Sequence, residues 1–126
     1  MPSAIEVLVV DEDEDMLELT ETFLERESEP IEVTTEKRPP EAAEQAGNGD
    51  FDCVVTDLRM PEMDGIELCQ QLREQRPDLP VFLFTAADSA DIDAKDGSGE
   101  LTGVVQKGTG TEHYTDLAAK IESAAE

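Results

Sequence analysis

The sequence predicts a single α/β domain: a doubly wound, five-stranded parallel sheet with helices on both faces. Three observations carry that expectation. Short apolar runs of buried-strand length alternate with stretches whose apolar residues recur at helical spacing, and the alternation continues along the whole chain. Three of those runs end in ionisable residues, at Asp11-Glu12-Asp13, Asp57 and Lys107, and sheets of this class gather ligands at the carboxyl ends of their strands. At 126 residues the chain suits one domain, residues 1–126, with no second domain expected.

Ile5 to Val10, interrupted only by Glu6, has the length and branching of a strand buried on both faces. A helix follows, with Met16, Leu19 or Thr20, Phe23 and Leu24 on its apolar face, and Pro30 ends the region. Ile31 to Thr34 is a weaker second strand. Pro39-Pro40 opens an alanine-rich helix that stops near Gly47-Asn48-Gly49, and Phe51 to Thr56 is the third strand. After the turn Met60-Pro61-Glu62-Met63-Asp64-Gly65, a third helix is marked by Ile66, Cys69 and Leu72. Pro77 to Pro80 breaks it before the strand Val81 to Phe84. Asp88 to Asp96 is expected to form only a short fourth helix, because its apolar face is little more than Ala90, Ile92 and Ala94 and glycines follow at 97 and 99. Leu101 to Gln106 is the last strand. It leads through Gly108 and Gly110 to a helix with Tyr114, Leu117, Ala118 and Ile121 on one face.

Composition narrows the partners. With 32 acidic and 9 basic residues the formal charge is -23, which repels nucleic acid and anionic membrane as direct ligands. Disorder is not expected, because the apolar residues are gathered into periodic runs. An acidic shell over a normal core points to the cytoplasm of a salt-accumulating organism, and to a fold that loosens in dilute buffer. Cys53 and Cys69 lack metal-type spacing and read as core thiols. No leader or membrane-length apolar stretch is visible, so a soluble cytoplasmic protein is expected.

A carboxylate at a strand end can attack a phosphoryl group and form an acyl phosphate, provided that a cation neutralises the transferring oxygens. Mg2+ suits an oxygen-rich site of few carboxylates. Asp11, Glu12 and Asp57 are candidate ligands, with Lys107 as a fixed positive charge and Thr85 as a hydroxyl donor. An EF-hand reading of the acids from Asp11 fails, because Met16 and Thr22 stand where its loop needs glycine and glutamate. For Asp13 the expectation is partly a helix N-cap; Glu14 and Asp15 read as surface.

At these residues the chain resembles the receiver domain of two-component response regulators, over essentially its whole length. Val9-Val10-Asp11-Glu12 is similar to the family's acidic pair, and Asp57-Leu58-Arg59-Met60-Pro61-Glu62-Met63-Asp64-Gly65 to its phosphoacceptor segment. Phe84-Thr85-Ala86 resembles its switch threonine and Gln106-Lys107 its lysine. The resemblance implies a flavodoxin-like fold with strand order 2-1-3-4-5. It implies that Asp57 accepts a phosphoryl group from a histidine kinase or phosphotransfer protein, and that Asp11, Glu12, Asp57 and the backbone carbonyl of Arg59 hold Mg2+. Thr85 and Lys107 would then read the phosphate. Such a protein is a regulatory phosphoacceptor rather than an enzyme, and if it stands alone it signals by binding a downstream protein; a homodimer is also admitted.

The chain departs from the family at two places. Gly108 follows the lysine where the family typically has a cis proline, which loosens the loop, and Val104 stands where many members carry a signalling aromatic. The output is therefore expected to pass through Asp88 to Gly99 once Thr85 moves. His113 reads as a surface histidine. Two alternatives stand beside the phosphoacceptor. One is a receiver-like interaction module that is never phosphorylated. The other is a haloacid-dehalogenase-type phosphatase, whose motif Val9-Val10-Asp11-Glu12-Asp13 resembles, with Asp11 as nucleophile and Asp13 as acid.

Overall fold

The computed structural model describes residues 4–48, 51–86, 90, 92, 101–108 and 111–125. Among the described residues nine elements follow one another: β1 (Ile5–Val10), α1 (Glu14–Glu27), β2 (Ile31–Glu36), α2 (Pro39–Gly47), β3 (Cys53–Thr56), α3 (Gly65–Gln75), β4 (Val81–Thr85), β5 (Gly103–Gln106) and α4 (Glu112–Ala125). The strands form one sheet in the order β2-β1-β3-β4-β5, every neighbouring pair parallel. This is the flavodoxin-like order implied by the resemblance.

Strand alternation divides the core into two layers. Val7, Val9, Val55 and Phe84 face α1 and α4, where they meet Leu17, Leu24, Leu117 and Ile121. Leu8, Val10 and Val54 face α2 and α3, packing on Ala42, Ala46, Leu68 and Leu72. Cys53 and Cys69 are both buried, and burial pushes the Cys53 thiol far above its ordinary range.

In α1 the buried residues are Leu17, Thr20 and Leu24. Of the two alternatives on the expected stripe, Thr20 is the inward one. Leu19 is 45% exposed, because two residues along a helix turn about 200° from Leu17 and place it on the solvent side. Asp13 is the N-cap, accepting from the N–H groups of Asp15 and Met16. Pro39 stands at the start of α2, as its fixed φ favours.

Strand bounds shift by one or two residues from expectation. β2 runs on to Glu36, whose carboxylate accepts from Arg38 N–H and Gln45 Nε2 and so ties the strand end to α2. The third strand starts at Cys53 rather than Phe51, because Asp52 instead binds Glu6 through both its N–H and its carboxylate. The last starts at Gly103 rather than Leu101. Most of Asp88 to Asp96, the expected fourth helix, lies outside the described residues. Within it Ile92 is buried against Leu58, Ile66 and Leu83.

Candidate functional site

The site forms where β1, β3, β4 and β5 end. Each strand carries its ladder about one residue beyond its last pairing, which fixes the main chain of the residues that follow. Asp11 N–H donates to Glu36 O at 3.2 Å, Asp57 N–H to Val10 O at 3.0 Å and Lys107 N–H to Thr85 O at 2.8 Å. Three side chains that are about 50 residues apart or more in sequence are thereby delivered to one place.

Asp57 is held by the turn it opens. Its Oδ1 accepts the N–H of Leu58 at 2.7 Å, and its carbonyl accepts the Thr56 hydroxyl at 2.9 Å. The turn closes where Gly65 N–H donates to Leu58 O at 2.8 Å. Gly65 is required by close approach: a Cβ there would run into the Asp57 carbonyl oxygen and stand 2.8 Å from Leu83 Cδ1. Asp64 then starts α3 with a reciprocal capping box, accepting Glu67 N–H at 2.8 Å while Glu67 Oε1 accepts Asp64 N–H at 3.2 Å.

Lys107 joins the two carboxylates. Its Nζ is 3.1 Å from Asp11 Oδ2 and 3.4 Å from Asp57 Oδ2, with side-chain exposures of 15% for the lysine, 8% for Asp11 and 18% for Asp57. The second oxygen of Asp11 accepts Asp13 N–H at 3.0 Å. Two carboxylates against one ammonium leave the cluster with a formal charge of -1, in surroundings where charges interact more strongly than in water. Such a cluster draws in a further cation.

Among the described residues no three His, Cys, Asp or Glu side chains stand grouped as a metal site. Glu12 is exposed beside Asp11, and Arg59 is exposed two residues beyond Asp57. The donor set nonetheless fits Mg2+, which takes one or two carboxylates and leaves other positions to water and phosphate oxygens. Thr85 is 2% exposed at the end of β4, and its carbonyl anchors Lys107.

Two residues beside the lysine were given no part in the site by the sequence. The Phe84 ring lies under Lys107 Nζ, 5.4 Å from its centroid. His113, expected at the surface, is half-buried between Phe84 and Tyr114, with ring centroids 5.5 and 4.3 Å away. Burial, with Lys107 adding to it, holds the imidazole below its ordinary pKa. Helical spacing from Leu117 back to His113 and Tyr114 was the available signal.

A family model described as the response regulator receiver domain matches residues 7–119. The chain is 38% identical over 82 residues to the alkaline phosphatase synthesis transcriptional regulatory protein PhoP of Bacillus subtilis, covering 65% of this chain and 33% of that protein. It is 37% identical over 81 residues to the transcriptional regulatory protein SrrA of Staphylococcus aureus, covering 64% and 32%. The chain thus matches about a third of the length of these curated relatives. Among solved structures, the response regulator TrrA of Thermotoga maritima in complex with Mg(2+)-BeF superposes with TM-score 0.81 at 26% identity, over 93% of this chain and 98% of that one. The chemotaxis response regulator CheY4 of Vibrio cholerae superposes with TM-score 0.80 at 24% identity, over 94% and 99%, a likeness of fold.

Proposed function

The chain belongs to the response regulator receiver domain family, and on that premise we propose that Asp57 is its phosphoacceptor. The observation that carries this reading is the meeting of Asp57 with Asp11 on the Lys107 ammonium at the carboxyl end of the sheet. A carboxylate oxygen of Asp57 attacks phosphorus. The bond from phosphorus to the donor, an imidazole nitrogen of a histidine kinase or phosphotransfer protein, breaks with its electron pair on that nitrogen.

Asp11, Glu12, Asp57 and the Arg59 carbonyl are the proposed Mg2+ ligands. Bound there, the ion neutralises charge on the phosphoryl oxygens. Lys107 supplies the second positive charge, and Thr85, buried at the next strand end, donates its hydroxyl to the phosphoryl group. The fit of the donor set supports the ion, as does its presence in the complex of the Thermotoga relative.

In this reading the chain is a regulatory phosphoacceptor, not an enzyme, and its message passes by binding another protein. The -23 charge argues against nucleic acid as a direct ligand of this domain. No helix among the described residues is long and apolar enough to cross a membrane, and we place the domain in the cytoplasm of a salt-accumulating cell. Use of Asp11 and Asp13 as a phosphatase pair is disfavoured, because the Asp13 carboxylate is occupied as the α1 cap.

The test is intact mass after incubation with acetyl phosphate and Mg2+ in molar KCl, beside Asp57→Asn. One phosphoryl adduct, absent from the variant, is expected. A folded sample with no adduct would sink the proposal in favour of an interaction module that is never phosphorylated.

A further inference from the structure

Phe84 precedes Thr85 in β4, so its side chain points to the opposite face of the sheet, into the layer shared with α1 and α4. There the ring is 3% exposed and enclosed by other rings. His113 lies against it at 5.5 Å and Tyr114 at 5.6 Å, and Tyr114 in turn stacks on Phe23 of α1 at 4.8 Å with an interplanar angle of 14°. The Phe84 ring is a fixed surface, and Lys107 Nζ rests 5.4 Å from its centroid.

The lysine needs such a surface. Its main chain is fixed by the bond to Thr85 O, but a flexible four-carbon stem separates that anchor from the ammonium. Gly108, the next residue, is exposed and offers no side chain to brace the turn. The negative face of an aromatic ring attracts an ammonium, and more so where water is largely excluded, as at this 15% exposed lysine. A ring neither takes the lysine's proton nor adds a third carboxylate, so the charge stays available to an incoming phosphoryl group.

We propose that Phe84, braced by His113, is a positioning residue for phosphoryl transfer: its ring holds the Lys107 ammonium against Asp11 and Asp57. The proposal rests on the reading of Asp57 as phosphoacceptor. The attraction to a ring face is broad in direction, so the ammonium can slide from Asp57 Oδ2 to the phosphoryl oxygens without leaving the ring.

Two readouts test it on wild type, Phe84→Leu, Phe84→Tyr and His113→Ala, each checked for folding by circular dichroism. Without any phosphodonor, the ε-methylene protons of Lys107 are expected to show an upfield ring-current shift that Phe84→Leu abolishes and Phe84→Tyr keeps. With acetyl phosphate and Mg2+, Phe84→Leu is expected to slow adduct formation about threefold to tenfold, while Phe84→Tyr restores it, because leucine fills the space and only the ring attracts the cation. His113→Ala, at a half-exposed position, is expected to weaken both signals and keeps the question open to test should Phe84→Leu fail to fold. No ring-current shift in the wild type, or a folded Phe84→Leu as fast as the wild type, would overturn the proposal. A wild type that shows the shift yet takes no phosphoryl group would remove Asp57 as phosphoacceptor and leave the placement of the lysine standing.

Discussion

Asp11 and Asp57 share one ammonium: Lys107 Nζ lies 3.1 Å from Oδ2 of the first and 3.4 Å from Oδ2 of the second, while each Oδ1 accepts a main-chain N–H. Without the lysine, two largely enclosed carboxylates would face each other. Lys107→Ala is therefore expected to cost about 2–4 kcal/mol of stability, somewhat under the cost of unpairing a fully buried charge. Adding Mg2+ should recover more stability in that variant than in the wild type, since the ion takes the place of the missing charge. Asp57→Asn leaves Asp11 and Lys107 balanced and should stay within about 1 kcal/mol of wild type. Urea titrations with and without Mg2+ measure all three, and a Lys107→Ala protein as stable as wild type would contradict the shared-ammonium picture.

Gly65 ties the turn after Asp57 to the start of α3. Because an added Cβ meets the Asp57 carbonyl oxygen and Leu83, both fixed by the sheet, Gly65→Ala forces the backbone to shift. A loss of about 3 kcal/mol is expected, in the range of overpacked cores. Adduct formation should fall with it, since the atom displaced belongs to Asp57, the proposed phosphoacceptor. A melt unchanged from wild type would show that α3 can move aside.

The residues of the candidate site were legible because they lie where strands end, and a short continuous apolar run announces its own end: Val9-Val10 before Asp11, Val54-Val55-Thr56 before Asp57, Val104-Val105-Gln106 before Lys107. The sheet order came from the resemblance and not from periodicity, which says which residues are strand but not which strands are neighbours. What the pattern hid depends on rotation of a helix about its axis. Leu19 looks as apolar as Leu17 in sequence, yet only one of them faces the sheet. His113 was misplaced in the same way: its helical spacing from Leu117 signals an inward turn, but nothing in Glu112-His113-Tyr114 names Phe84 as the ring it meets, a contact across 29 residues of chain.

Asp13 separates the helix-capping role from the chemistry next to it. Its carboxylate accepts from Asp15 and Met16 N–H groups, satisfying two free donors at the start of α1. Asp13→Ala should lose about 1 kcal/mol in a denaturant titration and still form the adduct, whereas Asp13→Asn should keep most of the stability. Loss of all adduct in a folded Asp13→Ala protein would reopen the reading of Asp13 as an acid.

His113 predicts a pH dependence with a definite sign. Burial against Phe84 and Tyr114, and the nearby charge of Lys107, hold its folded-state pKa below 6.5. The unfolded chain then binds more protons than the folded one between those two values, so stability falls as pH is lowered through that window. Above 6.5 the contribution is complete. Measured by chemical unfolding, the stability difference between wild type and His113→Gln should shift against the wild type between about pH 7.5 and pH 5.5. A difference that does not vary with pH would mean that the imidazole gains a proton in the folded state as readily as in the unfolded one.

The acidic shell makes the last prediction. A formal charge of -23 on 126 residues is opposed by 9 basic residues; among the described residues Lys37 pairs with Glu14 and Arg38 with Glu41, both exposed, and exposed pairs add little. Self-repulsion acts over the screening length, about 10 Å in 0.1 M salt and about 3 Å in 1 M salt, so molar KCl reduces it to near neighbours. The unfolded chain, more expanded, feels less of it at either concentration, and the benefit of salt therefore falls mainly on the folded state. Thermal unfolding should move upward by several degrees or more from dilute buffer to molar KCl, with the adduct formed faster in the salt where more of the protein is folded. Substituting surface acids such as Glu18, Glu44 and Glu74 by glutamine should raise the melting point in dilute buffer and flatten the salt dependence. Equal melting points in both buffers would show that the shell is tolerated without salt, and would remove the basis for placing the protein in a salt-accumulating cell.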